Sequence, residues 1–281
     1  MFTQMLHKKK KWTGVVVGLA GLVLVFAFAT GNAEAAIIYS LAADWSDSVN
    51  PNGVWSYNKS PGVPFATTEH QDDYDPVGQN WFFNAQLAWA AARAQLPGHV
   101  PSLMKIVSDN TMGWDMPIGS VLISGAEGSA PAVWPGVTWT SPIDGTVVIS
   151  GGVWMSNEEL GRTMEWHLLS DTVLKSKARI TKSDGYSSSN LMSFALGSGG
   201  SAALTMPVSQ GTVITFQADK PFGNLPMAHQ LGVDLTIEIQ QLTTVPEPSS
   251  FLLVLSSVGA GIFIYRIRRR KLARSTTQNR R

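Results

Sequence analysis

Cysteine is absent from all 281 residues. Its absence excludes disulfides, thiolate metal centres, a cysteine nucleophile and attachment through a lipidated cysteine. Charged residues are scarce, at 15% of the chain, and histidine occurs five times. His7 lies near the N-terminus, and His70, His99, His167 and His229 are scattered, so no helical i, i+4 ligand pair exists. The middle of the chain has no basic footprint either. Twelve of the 21 basic residues sit at the two ends, which leaves nine against 18 acidic residues between positions 36 and 244, a net charge of −9. A nucleic-acid binder needs the opposite sign to neutralise phosphates, so that class of partner is excluded.

What the chain has in quantity is glycine (26), proline (15) and tryptophan (10). A charge-poor, aromatic-rich and turn-rich composition suits a β-rich extracellular domain. Residues 1–35 have the order of a secretory signal peptide: Lys8 to Lys11, an apolar stretch over residues 13–29, then Gly31 and Asn32. Ala33-Glu34-Ala35 supplies a small-x-small cleavage site, with Ala36 as the first mature residue; an uncleaved N-terminal anchor is the alternative. At the other end, Val245-Pro246-Glu247-Pro248 precedes Ser249, Ser250 and an apolar run over 251–265. Arg266, Arg268, Arg269, Arg270 and Lys271 follow. The prolines disfavour regular structure and end the folded domain. At ~1.5 Å per residue, about 17 helical residues span roughly 25 Å, enough for a thin bilayer. The arginines resist translocation and hold their end in the cytoplasm.

These three parts in order resemble the PEP-CTERM protein-sorting signal, over the last 37 residues of the chain. The resemblance implies an exported protein of a Gram-negative bacterium. It would be anchored in the inner membrane as an intermediate, recognised and cut by an exosortase, and sorted to the cell surface or an exopolysaccharide matrix. The ten residues after Lys271 depart from the pattern, which usually stops soon after the arginines.

Between the ends, residues 36–244 show strand periodicity. Residues alternate in Thr163-Met164-Glu165-Trp166-His167-Leu168 and Leu235-Thr236-Ile237-Glu238-Ile239, and buried runs occur at 121–123, 147–149 and 213–216. Asn52-Gly53, Asp144-Gly145, Gly151-Gly152, Asp184-Gly185, Gly199-Gly200 and Gln210-Gly211 predict turns. About ten strands at this spacing predict an all-β, antiparallel β-sandwich, flanked by a signal helix and a transmembrane helix. The alanine-rich run 84–95 is the one helical candidate, with an irregular crossing loop as the alternative. The phrases Asn50-Pro51-Asn52-Gly53-Val54-Trp55-Ser56-Tyr57, Val137 to Val147 and Gly211-Thr212-Val213-Ile214-Thr215-Phe216 resemble jelly-roll surface sandwiches related to carbohydrate-binding modules.

No catalytic signature stands out, so a noncatalytic protein is expected. Gly185-Tyr186-Ser187-Ser188-Ser189 lacks the closing glycine of a nucleophile elbow and reads as a loop. Glu158, Glu159, Glu165 and Glu238 could serve a glycosidase only if two of them flank a cleft. Asp72, Asp73 and Asp75 form a cluster whose spacing does not match a twelve-residue calcium loop; a solvated turn is expected, with structural calcium as the alternative. Trp139, Trp154 and Trp166 are expected in the core. Trp45, Trp55, Trp89, Trp114 and Trp134 lie nearer turns and are the candidates for a sugar-stacking face.

Overall fold

A computed structural model of the chain describes residues 36–75, 80–90, 101–125, 133–157, 162–221, 230–241 and Tyr265. The predicted signal helix, transmembrane helix, Ala33, Ala35, residues 245–248 and the basic cluster 266–271 lie outside the described residues. Among the described residues, no helix is long and apolar enough to cross a membrane. Ala35–Leu242 forms one compact unit.

That unit is all-β. Its strands are β1 (Ile37–Ser40), β2 (Trp55–Ser60), β3 (Val63–Pro64), β4 (His70–Gln71) and β5 (Ala88–Ala90). β6 (Ser102–Lys105), β7 (Val121–Ser124), β8 (Gly136–Thr140), β9 (Gly145–Met155) and β10 (Thr163–Ser170) follow. Then come β11 (Val173–Thr181), β12 (Met192–Ser193), β13 (Thr205–Val208), β14 (Val213–Asp219) and β15 (Gln230–Gln241). They form two sheets. One runs β12-β9-β15-β7-β6-β5-β4, with β1 also on β15 and β13 also on β9. The other runs β11-β10-β14-β8-β2-β3. Every named pair is antiparallel.

Period-two alternation explains where the core sits. In the six-stranded sheet, Trp55, Tyr57, Val137, Trp139, Met164, Trp166, Leu168, Ile214 and Phe216 point one way and are buried. They meet Val147, Ile149, Val153, Leu235, Ile237 and Ile239 of the larger sheet in one shared cluster. The middle strands of the larger sheet are apolar on both faces. Trp89, Leu103 and Ile123 enter the shared core, while Ala88, Ala90, Met104 and Leu122 turn to a second cluster with Trp81, Trp114 and Trp154. Strands covered on both sides read as continuous apolar runs rather than as alternation.

Two expectations are corrected. The helix predicted from residue 84 is not formed where it is described: Ala88–Ala90 is strand β5, paired with β4 and β6. Alanine propensity yields there to packing, because small residues are what the second cluster admits behind Trp89. Gly151 and Gly152 do not make a turn but lie inside the 11-residue strand β9. A Cβ on Gly151 would collide with the Asp234 carbonyl, and one on Gly152 with the Met192 carbonyl, so both glycines permit close backbone approach within the sheet.

Candidate functional site

The tryptophans near turns are mostly structural. Trp55 and Trp89 are fully buried, and Trp114 is buried. The segment around residues 44–47 satisfies the indole N–H groups of Trp45, Trp55 and Trp89. Trp55 Nε1 donates to Asp44 Oδ2 (3.2 Å), Trp89 Nε1 to the Ser46 carbonyl (2.9 Å) and Trp45 Nε1 to Asp47 Oδ1 (2.8 Å). Trp45 packs on Tyr57 with ring centroids 4.3 Å apart. Asn50 ties this loop down by accepting from Tyr57 N and donating to the Tyr57 and Phe65 carbonyls. The Asn-Pro-Asn-Gly phrase is therefore a scaffold. Burial pushes the Tyr57 phenol up to about 12, and its oxygen accepts from Ser46 N (2.8 Å). Trp139, Trp154 and Trp166 are buried as expected.

Trp134 is different. It is half-buried, has φ 51°, and stacks on His167 at 4.2 Å with the rings 20° from parallel. Asp219 sets this arrangement. Its Oδ2 accepts from Val133 N (2.8 Å) and Trp134 N (3.5 Å), and its Oδ1 accepts from Lys220 N (2.8 Å). Burial raises the Asp219 pKa despite these three amides and the nearby Lys220. A Cβ on Gly125 would collide with the same carboxylate.

Trp134 lies by the outer face of the six-stranded sheet, opposite the core. Register places Asn58, Gly136, Gln217, His167 and Lys177 in one row across five strands, and Asp219, Glu165 and Arg179 in the next. Directly opposed residues share a face. His167 Nε2 lies 2.8 Å from Glu165 Oε1, Arg179 Nε donates to Glu165 Oε2 (3.0 Å), and Lys177 Nζ lies 3.8 Å from Glu165 Oε1. Burial pushes the Glu165 pKa up, but His167, Arg179 and Lys177 outweigh it, and the net shift is down. The middle of the row is sunk: Asn58 is 4% exposed and Gln217 8%, whereas the Lys177 and Arg179 side chains are 48% and 66% exposed. The Gln217 amide makes no hydrogen bond among the described residues.

No family model matches the chain. No curated protein matches it significantly either. The site therefore rests on its own geometry. It joins a flat aromatic face, a sunken amide and an exposed guanidinium in one strip, suited to hydrogen bonding and stacking.

Other expected positions fall elsewhere. Ser188 donates its hydroxyl and its amide to Asp115 (both 2.6 Å) in a turn closed by Ser187 and Asn190, so these serines are loop residues. Glu238 accepts from Gln240 Nε2 (3.1 Å) on the outward face of β15, away from Glu165 on the other sheet. Glu158 and Glu159, with His99 and His229, lie outside the described residues. Asp72 is exposed beside His70 (3.5 Å), and Asp73 lines a hollow with Asn80, Phe82 and Phe83. Among the described residues, no group of three or more acidic or histidine side chains is arranged to hold a metal. Ala36 is exposed, just before β1. Sequence reading named Trp134, Glu165 and His167 but missed Lys177, Arg179, Gln217 and Asp219. Continuing the run 213–216 by three residues with a strand's two-residue period would have put Gln217 and Asp219 together on the face opposite Phe216.

Proposed function

We propose that this is a noncatalytic exported protein of the cell surface or extracellular matrix, associated with exopolysaccharide or biofilm and sorted through its C-terminal tail. The observation that carries the reading is the order of that tail: Val245-Pro246-Glu247-Pro248, an apolar run, then Arg266, Arg268, Arg269, Arg270 and Lys271. Residues 1–35 deliver the chain to the membrane, an exosortase recognises and cuts the tail, and a jelly-roll-like sandwich is released. The −9 charge of residues 36–244 and the absence of cysteine accord with a soluble extracellular life that needs no disulfide machinery.

The test is fractionation of the native host with mass spectrometry of the mature C-terminus. The expected product is a shorter form, lacking the arginines, outside the inner membrane. Recovery of only the intact basic tail in the inner membrane would refute sorting.

The second reading is a carbohydrate-binding module, favoured by the strip at Trp134. A glycoside hydrolase is the weaker alternative. Asp219 and Glu165 are register partners, yet Asp219 is 1% exposed and occupied by three backbone amides, and Glu165 is held by its own cationic neighbours. Neither carboxylate has the solvated, opposed placement that flanks a scissile bond.

A further inference from the structure

Charge is unevenly spread over this acidic unit. Of its nine basic residues, Lys175, Lys177, Arg179, Lys182 and Lys220 lie on β11, just beyond it, or just beyond β14. The nearby acids are turned to structural use. Asp171 Oδ1 accepts from Val213 N, Asp184 Oδ2 from Thr181 N, and Asp219 from three amides. Glu165 takes only the Nε of Arg179, and the terminal guanidinium nitrogens make no bond among the described residues. They stand on a 66% exposed side chain, aimed by the Glu165 contact and free to pair with an incoming anion.

Beside this fork lie two features of another kind. Gln217 is 92% buried from its 8% exposure, and its amide is unpartnered among the described residues on the same face as His167. Gly136, opposite Gln217, contributes no side chain, and a Cβ there would collide with the β14 backbone. Trp134 stands beside them, half-buried and stacked on His167. A stacking face, an amide donor and acceptor, and a bidentate cation are complementary to one ligand chemistry: a pyranose ring with hydroxyls and a carboxylate.

We infer that the strip of Trp134, His167, Gln217, Lys177 and Arg179, with Glu165 positioning the guanidinium, binds uronic-acid units of an acidic polysaccharide. This rests on the matrix-association reading and names its ligand class. The negative charge elsewhere on the unit does not forbid it, because exposed charges beyond about 8 Å are largely screened at physiological salt. The arginine contact sets acid selectivity, and the tryptophan and glutamine contacts set affinity for the ring.

The test is calorimetric titration of the full-length chain, solubilised in detergent at about 0.15 M salt. The ligands are an oligogalacturonate, the neutral oligosaccharide of equal length and dextran sulfate. Saturable binding of the oligogalacturonate is expected, at least about tenfold tighter than the neutral oligomer, since a charge-assisted hydrogen bond is at stake. Arg179→Gln and Trp134→Ala should each weaken it about tenfold or more, and Trp134→Phe should restore most of the loss. Lys177→Gln stands in if Arg179→Gln lowers the melting temperature. Equal binding of the neutral oligomer, equal binding of dextran sulfate, indifference to the substitutions, or no binding at all would each overturn the inference. None of these outcomes alters the C-terminal processing result, so the two readings fail separately.

Discussion

Asp219 illustrates how one side chain can organise a surface from below. It is 1% exposed at the end of β14, and it holds the amides of Val133 and Trp134. Asp219→Ala should free those amides, cost about 1–3 kcal/mol of stability in urea melts, and release Trp134 from His167. An unchanged near-ultraviolet dichroism spectrum would argue against that role. Two neighbouring carboxylates should also give opposite pH dependences. The Asp219 pKa is raised above 3.8, so its contribution is full below that value and is lost as pH rises through the folded pKa. The Glu165 pKa is lowered below 4.5, so its contribution is present above 4.5 and is lost as pH falls through the folded value. In urea melts between about pH 3 and 7, Asp219→Asn should remove the loss on the rising side and Glu165→Gln the loss on the falling side. Profiles that stay parallel to the unsubstituted protein would contradict both assignments.

β9 and β15 form the longest ladder in the described chain, eleven register pairs from Leu231↔Met155 to Gln241↔Gly145. Its packing turns on Gly232, which pairs with Trp154 and lets the indole lie across it, since any Cβ there would penetrate the ring. Trp154 Nε1 then reaches the Asp115 carbonyl (2.9 Å). Gly232→Ala should therefore overpack the second cluster and cost about 1–3 kcal/mol. Trp154→Ala should cost about 3–5 kcal/mol. The double substitution should cost clearly less than their sum, because removing the ring removes the clash. Strict additivity in denaturant titrations would show that the two residues do not share the contact. The free side of β11 is managed by a similar local device. Ser198 donates its N–H to the Lys177 carbonyl (2.8 Å) and accepts from Lys177 N (3.1 Å), while Gly199 N donates to Ser176 Oγ (3.2 Å). Covering an edge in this way suppresses pairing with another chain.

The whole molecule separates by composition into a β-rich unit and two ends that carry most of its basic residues. Removing residues 245–281 should leave a chain that is soluble, monodisperse by size-exclusion chromatography and cooperative on heating, because the shared core of the described residues is drawn from positions 41–239. An aggregated or non-cooperative product would mean that the tail belongs to the fold.

Local pattern alone determined the all-β class: the two-residue period at 163–168 and 235–239 fits a sheet with one covered face, and short apolar runs marked the strands around 121–123, 147–149 and 213–216. It also assigned Trp139, Trp154 and Trp166 to the interior from their apolar neighbours. It carried the order of the C-terminal tail, for which no folding is required. It failed where a residue's role depends on chain far away. Trp55 and Trp89 sit near turns, but their indole N–H groups are satisfied across 11 and 43 residues. Alanine 88 and 90 became strand because a second cluster needed small residues, and Gly151-Gly152 became strand interior because two other strands press against them. The candidate site was half legible: polar alternation exposed Glu165 and His167, but only tertiary structure could bring Trp134 onto His167, through a carboxylate 85 residues away in sequence. Secondary structure is written in near neighbours, whereas a surface site depends on which strands the sheet places side by side.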